Sequence, residues 1–205
     1  MPCNEQPYPL VREMKERMTD KGSLVKECIR GNPRAQKQLY DDHAEIMLGV
    51  CFRYTKSLSD AEDILQEAFV RVFTHLHQYR EDGELGAWIR KIVVNTALNF
   101  LKRPSKNHER LEFNDDESTQ PTAWQDPQVD LEAKELAGLI QHLPIGYQTV
   151  FNLFAIEGYS HAEISRLLGI REVTSRSQYM RARSALAVLM ERHHSLQPKA
   201  DCHGK

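Results

Sequence analysis

The chain has 205 residues, 40% of them hydrophobic and 27% charged, and its 27 Lys and Arg against 29 Asp and Glu leave a formal net charge of −2. That length suits one large domain or two small ones, and the apolar fraction supports packed cores but is thin for a single large one. No apolar run approaches the roughly 20 residues that cross a bilayer, the N-terminus has no signal-peptide apolar region, and Cys3, Cys28, Cys51 and Cys202 form no CxxC pair, so the expectation is a soluble cytoplasmic chain with reduced thiols.

Residues 1–22 are polar, carry Pro2, Pro7 and Pro9, and read as an N-terminal extension. A first helix is expected from Ser23 as cap to Arg30, ended by Gly31. Asn32 and Pro33 then open a second helix as cap and first residue, with Ala35, Leu39, Met47, Val50, Cys51 and Tyr54 as its apolar stripe. Ser59 to Glu62 reads as a capping box heading a third helix, whose Ala61, Ile64, Leu65, Ala68, Phe69, Val72, Phe73 and Leu76 recur at helical spacing. Asp60, Asp63, Gln66, Glu67 and Arg71 lie off that stripe. A loop from Gln78 to Glu84 leads to a fourth helix over about 85–102, which Pro104 stops.

Residues 104–128 are rich in Pro, Ser, Thr, Asn and Asp without periodicity and read as a flexible linker. Helical pattern returns from Val129 to His142, breaks at Leu143-Pro144, and resumes from Tyr147 to Ile156. Ser160 to Glu163 is a second capping box; its helix ends at Gly169, and a last helix runs from about Glu172 to His193. The fold class expected is all-α, with two small helical domains joined by a flexible acidic linker: an N-terminal extension 1–22, a first domain 23–103, the linker 104–128, a second domain 129–194 and a tail 195–205.

Charge follows this division. Between Trp88 and Arg103 stand Arg90, Lys91, Lys102 and Arg103 with no acidic residue, and from His161 to Arg192 arginines outnumber glutamates. Between them lies an acidic segment, so the pattern implies two DNA-facing surfaces and a linker that faces no DNA. The segment from Ser160 to Met190 has helix-turn-helix proportions, with Gly169 at the tight turn. Its second helix is expected to turn Val173, Tyr179, Ala182, Leu186 and Leu189 inward and to present Arg171, Thr174, Arg176, Ser177, Gln178 and Arg181, residue types that reach base edges and phosphates. An ordinary helix pair with a solvated basic face is the competing reading. Asn95 and Asn99 share a face one turn apart, where an amide can read an extruded base or bridge helices inside a bundle. Tyr79 could stack on a base, whereas Trp88 reads as core. His193, His194, Cys202 and His203 match no strong zinc spacing, so no metal or other cofactor is expected.

These segments carry a resemblance. Asp60 to Phe69 (DAEDILQEAF) is similar to region 2.2, and Trp88 to Asn99 (WIRKIVVNTALN) to regions 2.3 and 2.4, of the extracytoplasmic-function (ECF) sigma factors of bacterial RNA polymerase. Leu143-Pro144, Tyr147 to Phe151, Glu157 to Ser160, Ala162 to Ile164 and Arg181 to Leu186 resemble region 4. The resemblance covers about residues 23–192 in family order. It implies a non-enzymatic initiation factor that binds core polymerase through the β′ clamp helices and the β flap, and recognises promoter DNA. It implies polymerase contacts at Glu62, Asp63, Gln66 and Glu67, and −10 contacts at Tyr79, Arg90, Lys91, Asn95, Asn99, Lys102 and Arg103. It implies −35 contacts on the last helix, a monomer when free, an anti-sigma partner that is often membrane-anchored, and no small-molecule substrate. One departure stands out: where many members have a capping Ser or Pro and then Glu-Gly-Thr, this chain has Arg171-Glu172-Val173-Thr174. A helix-turn-helix regulator that does not bind polymerase, and a metal-dependent enzyme using the His and Cys residues, are the other readings; the segments similar to region 2 argue against the former.

Overall fold

The computed structural model describes residues 22–81, 83–103 and 138–196. Helix α1 covers 22–29, α2 Pro33–Phe52, α3 Leu58–His75 with one 3-10 turn appended at Leu76–Gln78, and α4 Leu85–Leu101. After a short α5 at 138–141 come α6, Ile145–Phe151, widened into a π turn over Asn152–Ile156, then α7, His161–Leu168, and α8, Glu172–Leu196. No strand occurs among the described residues. The expected linker, Cys202 and His203 lie outside them.

The helix starts follow from side-chain chemistry. Asn32 accepts from the Arg34 amide at 3.0 Å with Pro33 as first residue, as its sequence signature anticipates. At α3 the cap is Ser57, whose hydroxyl accepts from the Asp60 amide, and not Ser59; the helix begins two residues earlier than the Ser59 box suggests. Ser23 sits inside α1 and does not cap it. At α7 both arms of the capping box form: Ser160 accepts from the Glu163 amide at 3.3 Å, and the Ser160 amide donates to Glu163 at 2.9 Å. Gly169 closes α7 at φ 71, a left-handed position open to glycine at no steric cost.

Helices α2, α3 and α4 pack pairwise into one bundle around Leu39, Tyr54, Ile64, Val72, Leu76, Ile89 and Val93, all fully buried. Cys28 and Cys51 are buried in the same core, and burial pushes the Cys51 thiol up to about 12. Thiolate is the reactive form, so Cys51 in the native protein should resist a disulfide-exchange reagent at neutral pH and react only at the rate of unfolding. Kinetics followed by mass spectrometry, with Cys51 assigned by peptide mapping, would check this; prompt native labelling of Cys51 would contradict the packing.

The second bundle, α5 to α8, does not hang apart from the first. Ile145, Val150, Leu153 and Ile164 belong to the same buried cluster as the α2–α4 core. A helix leaves its last carbonyls without intrahelical partners, and the end of α2 finds them across the seam. Gln141 donates to the Phe52 carbonyl at 2.6 Å, and Gln148 and Asn152 donate to the Arg53 carbonyl at 3.0 and 2.5 Å. In the other direction the Lys56 ammonium donates to the carbonyls of Gln141 and Leu143. The sequence leads to two bundles on a flexible string; the structure instead docks them through a seam that combines buried apolar side chains with side-chain to backbone hydrogen bonds.

Candidate functional site

Three surfaces follow from this scaffold. The first is the outer side of α3. Ile64, Leu65, Ala68 and Phe69 face the core, which leaves Glu62, Asp63 and Gln66 exposed on a rigid helix. Glu67 differs from its neighbours: it is half-buried, accepts from Arg71 at 2.7 Å, and accepts from Arg103 at 2.7 Å on both carboxylate oxygens. Burial alone would raise its carboxyl, but the hydrogen bonds from Arg103 and Arg71 outweigh burial and hold it below its ordinary value. A residue expected to face polymerase and one expected to hold DNA are therefore paired with each other.

The second surface is on α4. Asn95 is half-buried and Asn99 exposed, one turn apart, and neither amide bonds to another described side chain. Lys91 is exposed beside them. Tyr79 donates its hydroxyl to the Gly83 carbonyl and tilts its ring against Trp88, centroids 5.7 Å apart, so Tyr79 is held against the helix that carries the asparagines. Trp88 packs on the core as the sequence suggests. Lys102 donates to the Leu167 carbonyl on α7, and the Arg103 guanidinium lies over the Phe100 ring.

Arg90 points elsewhere. Its Nε and Nη2 donate to the two carboxylate oxygens of Glu157 at 2.7 and 2.9 Å, and Arg53 reaches the same carboxylate at 3.0 Å. Burial pulls Arg53 below the ordinary arginine value, while the hydrogen bond to Glu157 raises Arg90. Sequence reasoning missed Arg53 and Glu157, because their partners lie 104 and 67 residues away in the chain and no local periodicity reports them.

The third surface is on α8. His161 stacks on Phe154 at 4.3 Å and bonds to the Ser175 hydroxyl at 2.9 Å, which sets the phase of α8 on α7. Burial first, and then the Arg176 charge, lower the His161 value. In this phase Ser175, Gln178, Ala182 and Leu186 face inward. Two sequence expectations are thereby corrected. Gln178, placed on the DNA-facing side, is only 3% exposed, and Val173, placed in the core, is 75% exposed. Arg171, Arg176, Ser177 and Arg181 are exposed and Thr174 half-buried, so the remaining expected residues do share an outer surface, now joined by Val173 and Met180. Arg176 pairs with Glu172 at 2.5 Å and Arg181 donates to the Tyr147 hydroxyl at 3.3 Å. The Thr174 carbonyl accepts from Ser177. No group of three His, Cys, Asp or Glu side chains suited to hold a metal occurs among the described residues.

Comparison with known proteins places the chain in a family. Residues 39–107 match the model for sigma-70 region 2, and residues 133–186 that for sigma-70 region 4. The chain is 30% identical to RNA polymerase sigma-H factor of Pseudomonas aeruginosa, over 80% of this chain and 90% of that one. It is 28% identical to ECF RNA polymerase sigma-E factor of Haemophilus influenzae, over 84% and 96%. Among solved structures it resembles the sigma factor RpoE of Bartonella quintana, solved in complex with the anti-sigma factor NepR, with a TM-score of 0.51 over 76% of this chain and 96% of that one at 16% identity, a likeness of fold.

Proposed function

Because the chain belongs to the sigma-70 family, in its ECF branch, we propose that it acts in initiation through three surfaces: α3 toward core RNA polymerase, α4 toward the −10 strand and α8 toward the −35 duplex. It is a sigma factor that directs promoter-specific transcription initiation. The observation that carries the division of labour is the outer face of α8. A capped α7, a left-handed Gly169 and an exposed stretch holding Arg176, Ser177 and Arg181 have the form of a major-groove reader. Residues 23–103 form the polymerase-binding and −10 domain, 129–194 the −35 domain, and 104–128 the linker between them.

Glu62, Asp63, Gln66 and Glu67 meet the β′ clamp helices, and the second domain meets the β flap. Gln66 gives the cleaner test, since a change at Glu67 also breaks its pairing with Arg103. Gln66→Lys should weaken co-elution with core polymerase while altering stability by no more than about 0.5 kcal/mol, the usual range for an exposed site. Unchanged co-elution and transcription would remove this face of α3 from the interface.

On α4, Asn95 and Asn99 read a −10 base after melting, with Tyr79 and the loop from about Tyr79 to Gly86 as the wall and Lys91, Lys102, Arg90 and Arg103 on the backbone. Asn95→Ala should alter which −10 base is preferred and slow opening, while −35 binding persists. Transcription from duplex and premelted templates with single-base changes checks this; an untouched −10 preference would make Asn95 a structural residue.

The protein carries no catalysis of its own and works in the cytoplasm, where polymerase is; no described helix is long and apolar enough to cross a membrane. An anti-sigma partner, membrane-anchored in the arrangement the family suggests, holds it inactive by covering the same surfaces. The complex of the similar Bartonella protein with NepR supports this reading. Pull-down from uninduced cells should recover such a partner, and recovery of free or core-bound protein alone would count against it.

A further inference from the structure

The outer face of α8 has an apolar middle. Val173, Ser177 and Met180 follow one another at spacings of four and three, so they stand in one line along the helix, opposite the buried Ser175, Gln178, Ala182 and Leu186. Val173 is 75% exposed and Met180 57%. The Ser177 hydroxyl donates to the Thr174 carbonyl at 3.0 Å, so its proton is already committed to the helix. The arginines flank this line, since successive residues turn by about 100°. Arg176 pairs with Glu172 at 2.5 Å on one side, and Arg181 donates to the Tyr147 hydroxyl of α6 at 3.3 Å on the other.

Val173 is the second residue of α8, and the N-terminal residues of a recognition helix are those that meet base edges. In the major groove the bases differ mostly in hydrogen-bond donors and acceptors, which a valine side chain cannot address. Thymine alone offers an apolar mark there, its C5 methyl group. Valine is suited to cover it, because a β-branched side chain has one favoured rotamer in a helix and loses little freedom on contact. Val173 and Arg176 are three residues apart, a rise of about 4.5 Å, so at 3.4 Å per step the bases they meet lie within about two base pairs of each other.

We infer that Val173 is a specificity-determining residue that covers the methyl group of one thymine in the −35 element, close to the base met by Arg176. The inference rests on the −35 reading of α8. It adds to that reading a required base and the residue that selects it, at the position where this chain departs from the Glu-Gly-Thr of many members of the family.

The test uses holoenzyme assembled from the full chain and core polymerase, on a duplex promoter selected from a library by run-off transcription. Each −35 thymine is replaced in turn by deoxyuridine, which removes the methyl group and keeps the base pair. At one position the wild-type complex should weaken about fourfold, the worth of one methyl group taken out of water. Val173→Ser should bind the thymine and uridine templates alike at that position, while sensitivity to the base met by Arg176 persists. A residue that merely supports the helix would lower affinity for both templates equally. A fourfold difference that survives in Val173→Ser would therefore overturn the inference, as would a wild-type complex indifferent to every uridine. Weakened co-elution of Val173→Ser with core polymerase, with its methyl response intact, would assign this patch to the polymerase and overturn the inference as well. Wild-type holoenzyme that protects no −35 sequence would instead overturn the reading of α8 beneath it.

Discussion

Replacing Arg176 or Arg181 with alanine is expected to weaken closed-complex formation by about 1–3 kcal/mol if the residue contacts a base, a loss of roughly 5- to 150-fold. Both side chains are exposed on the outer face of α8, where substitutions usually cost no more than about 0.5 kcal/mol of stability. The pair between Arg176 and Glu172 is a solvent-exposed i,i+4 bridge, and the Arg181 bond to Tyr147 is long at 3.3 Å. Their loss should leave the fold intact and appear in DNA binding alone. The defect should persist on a template with a premelted −10 segment, because the −35 duplex is read before melting. Gln178→Ala provides the contrast. Gln178 is buried on the inward face of α8, so its loss should lower stability without changing which −35 sequence is selected. Footprinting with single-base changes in each element separates the outcomes, and a −35 preference that followed Gln178 instead of Arg176 would invert the phase assigned to α8.

The second large effect concerns the core. Ile64 is fully buried midway along α3, among side chains of α2 and α4. Ile64→Ala removes three carbons from a close-packed site and should cost about 2–5 kcal/mol. At roughly 2–4 °C per kcal/mol for a chain of this size, the melting temperature should fall by about 5–20 °C. Ile46, the same residue type but 65% exposed on α2, should tolerate alanine within about 0.5 kcal/mol. Calorimetry on the two variants is sufficient, and equal shifts would contradict the assigned orientation of these helices.

What was legible in the sequence was local. The Ser160 and Glu163 box formed as read because both partners lie within one turn, and Asn32-Pro33 marked α2 for the same reason. The α3 stripe was plain because its apolar residues repeat at helical spacing, yet its cap was misjudged: Ser57 and Ser59 both precede an acidic residue three positions on, and only backbone geometry selects Ser57. The phase of α8 was misread because apolar character was equated with burial. Val173 is pushed outward, and Gln178 inward, by the His161–Ser175 contact made across the helix-turn-helix. The π turn at Asn152–Ile156 had no signature, although it sets Asn152 against the Arg53 carbonyl and leads into Glu157. The docking of the two bundles was invisible because it depends on contacts some 65 to 104 residues apart in the chain. The face of α3 was legible as exposed, but the ties of Glu67 to Arg71 and Arg103 were not.

The central claim is that this chain supplies promoter specificity to a polymerase that lacks it. Run-off transcription with purified core polymerase on a promoter library tests it most directly. The account predicts transcripts only when chain and core are both present, starting downstream of a common pair of −35 and −10 sequences, with weak duplex binding by the chain alone. Nanomolar binding of the free chain to its promoter, with no core-dependent transcript, would contradict it.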